Sequence, residues 1–168
     1  MDKRVSNATP LIYLAKADRL SLLKAVSQEI LVPQAVFSEV VVEGKRLGEN
    51  DAYRVDQCIK KGWMVVRDVD VTYVPGIPLH PGEAEVISLA IEMNVKEVLM
   101  DDAKGRLACQ LAGLKPIGTL GILLRALQIR QLNFDEFLNT LQAIVRSGFY
   151  LKEEVYLKVI EVAKGIIP

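Results

Sequence analysis

Short apolar segments alternate with amphipathic helical patterns up to about Asn133, and this alternation constrains the fold more than any other feature of the chain. Polar or turn residues bound each segment, as is typical of buried parallel strands. The predicted strands are Arg4–Ser6, Ile30–Val32, Met64–Val66, Val98–Met100 and Lys115–Ile117. Because helices separate these strands, we predict crossover units and an α/β fold with a mostly parallel sheet.

Helical periodicity fills the intervals between the strands. Thr9 and Pro10 predict the cap and first position of one helix. Later helices are predicted over 20–26, from Pro33, over 50–61, after Pro81 and Gly82, and over 104–112 and 120–129. Beyond Asn133 the pattern is purely helical, with two amphipathic helices over 135–147 and 152–163. We therefore predict a single domain over 1–168, in which 133–168 forms a helical C-terminal extension.

Composition excludes several classes of protein. The chain has 168 residues, and 21 Lys and Arg balance 21 Asp and Glu, which argues against a polybasic protein that binds nucleic acid by bulk electrostatics. Cys58 and Cys109 are far apart and form no CxxC motif, and the single histidine, His80, leaves little support for a catalytic triad. Without a signal peptide or a membrane-spanning apolar run, we expect a cytoplasmic protein that contacts no membrane.

Polar and acidic residues follow several predicted strands at the point where each strand ends. Asn7 follows the first strand, Asp101 and Asp102 follow the fourth, and Thr119 follows the fifth. The helix that leads into the fourth strand begins with Glu83 and Glu85. In an open parallel sheet, ligands bind outside the carboxyl ends of the strands, so we expect these side chains to line one site.

Each acid has a structural interpretation beside the functional one. Glu39 lies in an apolar stretch, so it is either a buried carboxylate with a shifted pKa or an exposed residue on the polar side of its helix. Asp101 and Asp102 repel each other unless a cation such as Mg²⁺ lies nearby, but Asp102 alone could cap the next helix. Glu83 and Glu85 could simply complement a helix dipole.

Segments of the chain, taken in order, resemble PIN-domain proteins over about residues 4–130. The matching segments are Val5–Ile12, Pro33–Val40, Gly82–Ile87 and Leu99–Arg106. A further segment, Gly118–Gly121, resembles an uncharacterised PIN branch that is akin to the toxins of VapBC toxin–antitoxin pairs.

This resemblance implies both a fold and an activity. The fold would be a three-layer α/β/α sandwich around a parallel sheet of strand order 3-2-1-4-5. The activity would be that of a Mg²⁺- or Mn²⁺-dependent endoribonuclease of the toxin type, in which clustered acids bind the metal and the metal activates water. The implied partners are RNA, a small antitoxin protein and a second copy of the chain in a homodimer.

The resemblance also assigns roles to individual residues. It makes Glu39, Glu83 and Asp102 the catalytic acids, with Glu85 as the competing choice for Glu83 and Asp101 beside Asp102. The implied metal ligands are Asn7, Glu39, Glu83, Glu85, Asp101 and Asp102. Thr9 and Thr119 would support the site. The residues themselves suggest that Lys104, Arg106 and Arg125 either face the phosphates of the substrate, with Lys104 and Arg106 as the candidates, or are solvated or ion-paired side chains.

Asn7 departs from the family pattern, which has aspartate at the end of the first strand. An amide oxygen can ligate a hard cation but adds no negative charge, so we expect weaker metal binding or slower hydrolysis. Asn7 therefore supports an alternative, a weakened or inactive PIN-fold module that binds RNA or a protein partner. A receiver-like phosphoacceptor domain and a dinucleotide-binding domain have less support, the latter because no GxGxxG follows the first strand.

Overall fold

A central sheet of five parallel strands organises the molecule, whose computed structural model describes residues 2–73 and 76–167. The strand order is β3-β2-β1-β4-β5, so β1 lies in the middle of the sheet. The chain adds β2 and β3 on one side of β1, and β4 and β5 on the other side. The strands are β1 (Lys3–Ser6), β2 (Glu29–Pro33), β3 (Met64–Arg67), β4 (Glu97–Leu99) and β5 (Lys115–Ile117). The predicted α/β fold and strand order are confirmed.

Helices connect the strands and flank the sheet. They are α1 (Ala8–Lys16), α2 (Ser21–Val26), α3 (Gln34–Phe37), α4 (Gly44–Arg46), α5 (Asn50–Lys60), α6 (Pro81–Glu92), α7 (Ala103–Leu111), α8 (Thr119–Gln128), α9 (Phe134–Arg146) and α10 (Glu153–Ile166). A π-helical segment, Ser38–Glu43, joins α3 to α4. α6 packs against β1, β2 and β4, while α1 packs against α5, α8 and α9.

The first helix begins earlier than its sequence signals predict. Thr9 and Pro10 suggested a cap and a first helical position, but Asn7 is the N-cap and Ala8 the first residue of α1. The prediction was wrong because β1 runs directly into the helix through the extended backbone of Asn7 (φ −78°, ψ 175°). Pro10 is tolerated at the third position, since the first N–H groups of a helix have no partner within it.

The core is continuous from the sheet into the C-terminal helices. Leu11 and Leu14 of α1 are fully buried, and so are Phe137, Leu141 and Ile144 of α9, in the same cluster of apolar side chains. The predicted single domain with a helical extension stays a prediction, but α9 contributes directly to this core. In the described part of the chain, no helix is long and apolar enough to cross a membrane.

Candidate active site

The candidate site lies where β1 and β4 end, and Asn7 is at its centre. The side chain of Asn7 is 6% exposed, and its backbone N–H donates to the Leu99 carbonyl at 2.9 Å. This bond continues the pairing of β1 with β4 by one residue and ties the start of α1 to the sheet. The side-chain amide donates from Nδ2 to the sulfur of Met100 at 3.2 Å.

Glu39 reaches the same point from the helical segment that follows β2. A Cβ atom added to Gly82 would lie 3.3 Å from Asn7 Oδ1 and 3.8 Å from Glu39 Oε2. Gly82 therefore allows the start of α6 to approach both oxygens closely. Glu39 is itself exposed, although Val40 and Val41 beside it are buried. It is second in the π-helical segment, a kind of distortion often found at functional sites.

Glu83 lies in the first turn of α6 and is only 6% exposed. Burial raises the pKa of its carboxyl group, and the nearby carboxylates of Asp102 and Glu39 raise that pKa further. The backbone N–H of His80 opposes this rise by donating to Glu83 Oε2 at 3.0 Å. Asp102 and Glu39 are therefore close enough for their charges to act on Glu83.

Asp102 combines the two interpretations that its sequence position allowed. It is the N-cap of α7, and its Oδ2 accepts the backbone N–H of Gly105 at 2.9 Å. It is also exposed and electrostatically coupled to Glu83. A helix cap can therefore contribute a carboxylate to the site as well.

Asp101 points away from Asp102, toward the start of α8. Its Oδ1 accepts the Thr119 backbone N–H at 2.8 Å, and its Oδ2 accepts the Thr119 hydroxyl at 2.7 Å. Burial raises the pKa of the Asp101 carboxyl, while the two Thr119 bonds and the charge of Arg106 counteract that rise. Arg106 donates to the Met100 carbonyl at 3.0 Å, so Asp101, Thr119 and Arg106 together brace the turn between β4 and α7.

Glu85 also lies apart from the other acids. Its Oε2 accepts the backbone N–H of Ala35 at 2.8 Å, near the start of α3. It borders a separate cavity of about 400 Å³, together with Asp68 and Asp70. The structure thus places Glu83, and not Glu85, within electrostatic reach of Asp102 and Glu39.

The two remaining candidates lie at the first turns of neighbouring helices. Thr9 is half-buried in α1, and Lys104 is exposed in α7. Sequence reasoning missed two structural features beside Asn7, the sulfur of Met100 and the close approach at Gly82. A glycine directly after Pro81 at a helix start was the available signal for the second, since it is a poor helix former there.

The donor set suits a hard divalent cation that keeps part of its water shell. Among the described residues, no three His, Cys, Asp or Glu side chains converge on one point as a ready-made metal cluster. Mg²⁺ seldom requires such a cluster, because one or two carboxylates and several waters commonly complete its octahedron. The amide oxygen of Asn7 and the carboxylates of Glu39, Glu83 and Asp102 offer only oxygen donors, which fits this mode of binding.

Comparison with known protein families agrees with the fold. A family model described as a PIN domain matches residues 3–165, which is nearly the whole chain. This chain belongs to the PIN-domain family. No match was found among curated proteins or among solved structures. Membership supports a nuclease-like fold and the general use of divalent metal ions by such domains.

Proposed function

We propose that this protein is a metal-dependent endoribonuclease of the toxin type, which hydrolyses phosphodiester bonds in RNA. The observation that carries the proposal is the start of α6, which lies beside Asn7 Oδ1 and Glu39 Oε2 and carries Glu83, whose pKa is raised by burial and by the carboxylates of Asp102 and Glu39, in a chain of the PIN-domain family. Mutual repulsion among three carboxylates is relieved by a cation, and Mg²⁺ or Mn²⁺ is the kind of ion that oxygen donors bind.

Each residue of the group has a part in this proposal. A bound divalent ion would activate water and stabilise negative charge on the scissile phosphate. Asn7 Oδ1 and Glu39 Oε2 would face the ion, while Asp102 and Glu83 would hold its waters. Glu83 Oε2 is occupied by the His80 N–H, so its Oε1 is the atom that we assign to proton transfer.

The substrate would approach over the start of α7. Lys104 is exposed one residue into that helix, where its ammonium group could meet an RNA phosphate. Arg106, the other predicted phosphate contact, already donates to the Met100 carbonyl and lies beside Asp101. We therefore expect Arg106 to act mainly on the shape of the turn, and Lys104 to act on binding.

The proposed partners follow from the same resemblance to toxin proteins. A small antitoxin protein would cover the acidic site, and a second copy of the chain would form a homodimer. Exposed apolar side chains such as Leu107 and Leu111 on α7 are compatible with a protein partner near the site.

The decisive experiment compares two neighbouring glutamates in a cleavage assay on a mixture of structured RNAs with Mn²⁺. We expect the parent to cleave RNA and EDTA to stop it. Glu83→Gln should lower the rate at least about tenfold, because it removes a proton acceptor at the site. Glu85→Gln is the matched control and should retain the parent rate, because the amide oxygen can still accept from Ala35.

Two results would contradict the proposal. One is a parent protein that neither cleaves RNA nor binds Mn²⁺, and the other is equal activity in both glutamine variants. The first result would favour the alternative, a PIN-fold module that binds RNA or a protein without hydrolysis. The observation that favours this alternative is the neutral amide of Asn7, which leaves the site one negative charge below the family pattern.

A further inference from the structure

Met100 lies directly beneath the candidate site and contacts Asn7. Its sulfur accepts a hydrogen bond from Asn7 Nδ2 at 3.2 Å, and Met100 itself is fully buried. Thioether sulfur is a weak acceptor, yet the Met100 sulfur is the side-chain partner of this buried amide nitrogen. Among the described residues, no buried side-chain nitrogen or oxygen is left without a partner.

Gly105 makes the position of Met100 possible. A Cβ atom at residue 105 would lie 2.6 Å from the Met100 sulfur, closer than real Cβ atoms approach, and 3.2 Å from its Cγ. The backbone N–H of Gly105 also caps Asp102. One glycine therefore gives space to the sulfur that holds Asn7 and supplies the N–H that orients Asp102.

The hydrogen bond to sulfur distinguishes the two ends of the Asn7 amide. Its oxygen and nitrogen ends have nearly the same shape, but only the nitrogen end can donate. The sulfur holds the nitrogen end, so the oxygen end lies toward Gly82, whose position is also near Glu39 Oε2. The reverse orientation would present the NH₂ group to the carboxylate side, where a cation would meet partial positive charge.

We propose that Met100 is a positioning residue that holds the Asn7 amide with its oxygen toward Glu39 and the other carboxylates. The part of this inference that concerns cation binding rests on the proposed function. The part that concerns the orientation of the amide rests on the contact with Met100 alone. The Met100 sulfur can accept a hydrogen bond from an asparagine at position 7. An aspartate at position 7 would place an acceptor against the sulfur and would have no hydrogen to donate.

The test replaces Met100 by leucine, which has nearly the same volume and no acceptor. Met64→Leu is the matched control, because Met64 is an equally buried methionine in β3. The first readout needs no metal and follows the side-chain NH₂ signals of Asn7 by ¹⁵N–¹H NMR. We expect Met100→Leu to shift these signals and to speed their exchange with water, while Met64→Leu leaves both unchanged.

The second readout is the affinity for Mn²⁺, measured by calorimetry on the parent, on both leucine variants and on Met100→Gln. We expect Met100→Leu to weaken Mn²⁺ binding about threefold to tenfold, whereas Met64→Leu changes only the melting temperature. Met100→Gln should restore affinity, since its side-chain oxygen can accept from Asn7 Nδ2. A merely structural role for Met100 would not give this rescue.

The two readouts separate the failure of this inference from the failure of the proposed function. If the Asn7 signals do not respond to Met100→Leu, or respond equally to Met64→Leu, the inference is overturned. If they respond but the parent binds no Mn²⁺, the metal-dependent function fails, and the positioning of the amide by Met100 is supported. If the parent and both leucine variants bind Mn²⁺ with equal affinity, the role of Met100 at the cation site is overturned.

Discussion

At the scale of single residues, the ionised carboxylate of Glu83 lowers the stability of the metal-free protein. Its carboxyl is nearly buried, and the neighbouring Asp102 and Glu39 add like charge. Such a group favours the protonated form, which is unfavourable for stability at neutral pH but useful at a site that handles a cation or a proton. The opposition between the stability of the fold and the chemistry of the site is therefore concentrated on this residue.

We predict that Glu83→Gln raises the melting temperature at pH 7 by about 2 °C in the absence of metal. The pKa of Glu83 is raised in the folded state, so the folded protein binds the proton more tightly than the unfolded chain. Its ionised form therefore destabilises the fold above the raised pKa, and this penalty disappears as the pH falls below the ordinary glutamate pKa of 4.5.

This prediction is checked by the thermal unfolding of parent and variant, measured at about five pH values between roughly pH 3 and 8. The difference between the two melting temperatures should shrink on acidification and vanish at the acid end. Glu85→Gln, two residues further along the same helix and half-buried, provides the comparison. A variant that is less stable than the parent at pH 7 would contradict the assigned burial and repulsion.

At the scale of elements, the turn between β4 and α7 depends on the start of α8. Thr119 is fully buried, and its N–H and hydroxyl both donate to Asp101. Gly118 permits this contact, since a Cβ there would lie 2.9 Å from Asp101 Oδ1. The pair of acids at the end of β4 is thus divided, with Asp101 holding a helix and Asp102 facing the site.

We predict that Thr119→Val lowers the free energy of unfolding by about 1–3 kcal/mol, because it leaves one oxygen of a buried carboxylate without its donor. Thr119→Ser keeps the hydroxyl and should cost clearly less. Urea denaturation of the three proteins, with equal slopes, gives the comparison. Equal stability of the valine and serine variants would show that the Thr119 hydroxyl does not stabilise Asp101.

At the scale of the whole molecule, the two C-terminal helices differ in their contribution to the core. α9 supplies Phe137, Leu141 and Ile144, all fully buried, whereas α10 supplies only Val159 and Ala163 among its buried residues. Complete burial of one large apolar side chain contributes roughly 1.5–3 kcal/mol. Three such side chains approach the whole stability of an ordinary domain, which is roughly 5–15 kcal/mol.

We predict that a chain ending at residue 132 loses cooperative unfolding, whereas a chain ending at residue 151 keeps a cooperative transition at a lower midpoint. Calorimetry and circular dichroism on the two truncated proteins test this difference. The shorter deletion serves as the control for the longer one. A cooperative transition in the chain that ends at residue 132 would show that α9 is an accessory to the fold.

The sequence by itself determined the sheet and the position of the acids along the chain. Strand and helix periodicities are local, so all five strands and the order implied by the family resemblance could be predicted. Glu83 and Asp102 lie beside a recognisable helix start and strand end, Glu39 was noticed as a carboxylate in an apolar stretch, and the family resemblance assigned the roles of all three.

Only the tertiary structure decided where the side chains point. Two acids one or two residues apart are equivalent in a sequence pattern, but the N–H groups of Thr119 and Ala35 hold Asp101 and Glu85 away from the site. The contact between Asn7 and Met100 joins residues 93 positions apart, and no local periodicity can reveal it. Fold follows from patterns along the chain, whereas the orientation of a site depends on partners that only folding brings together.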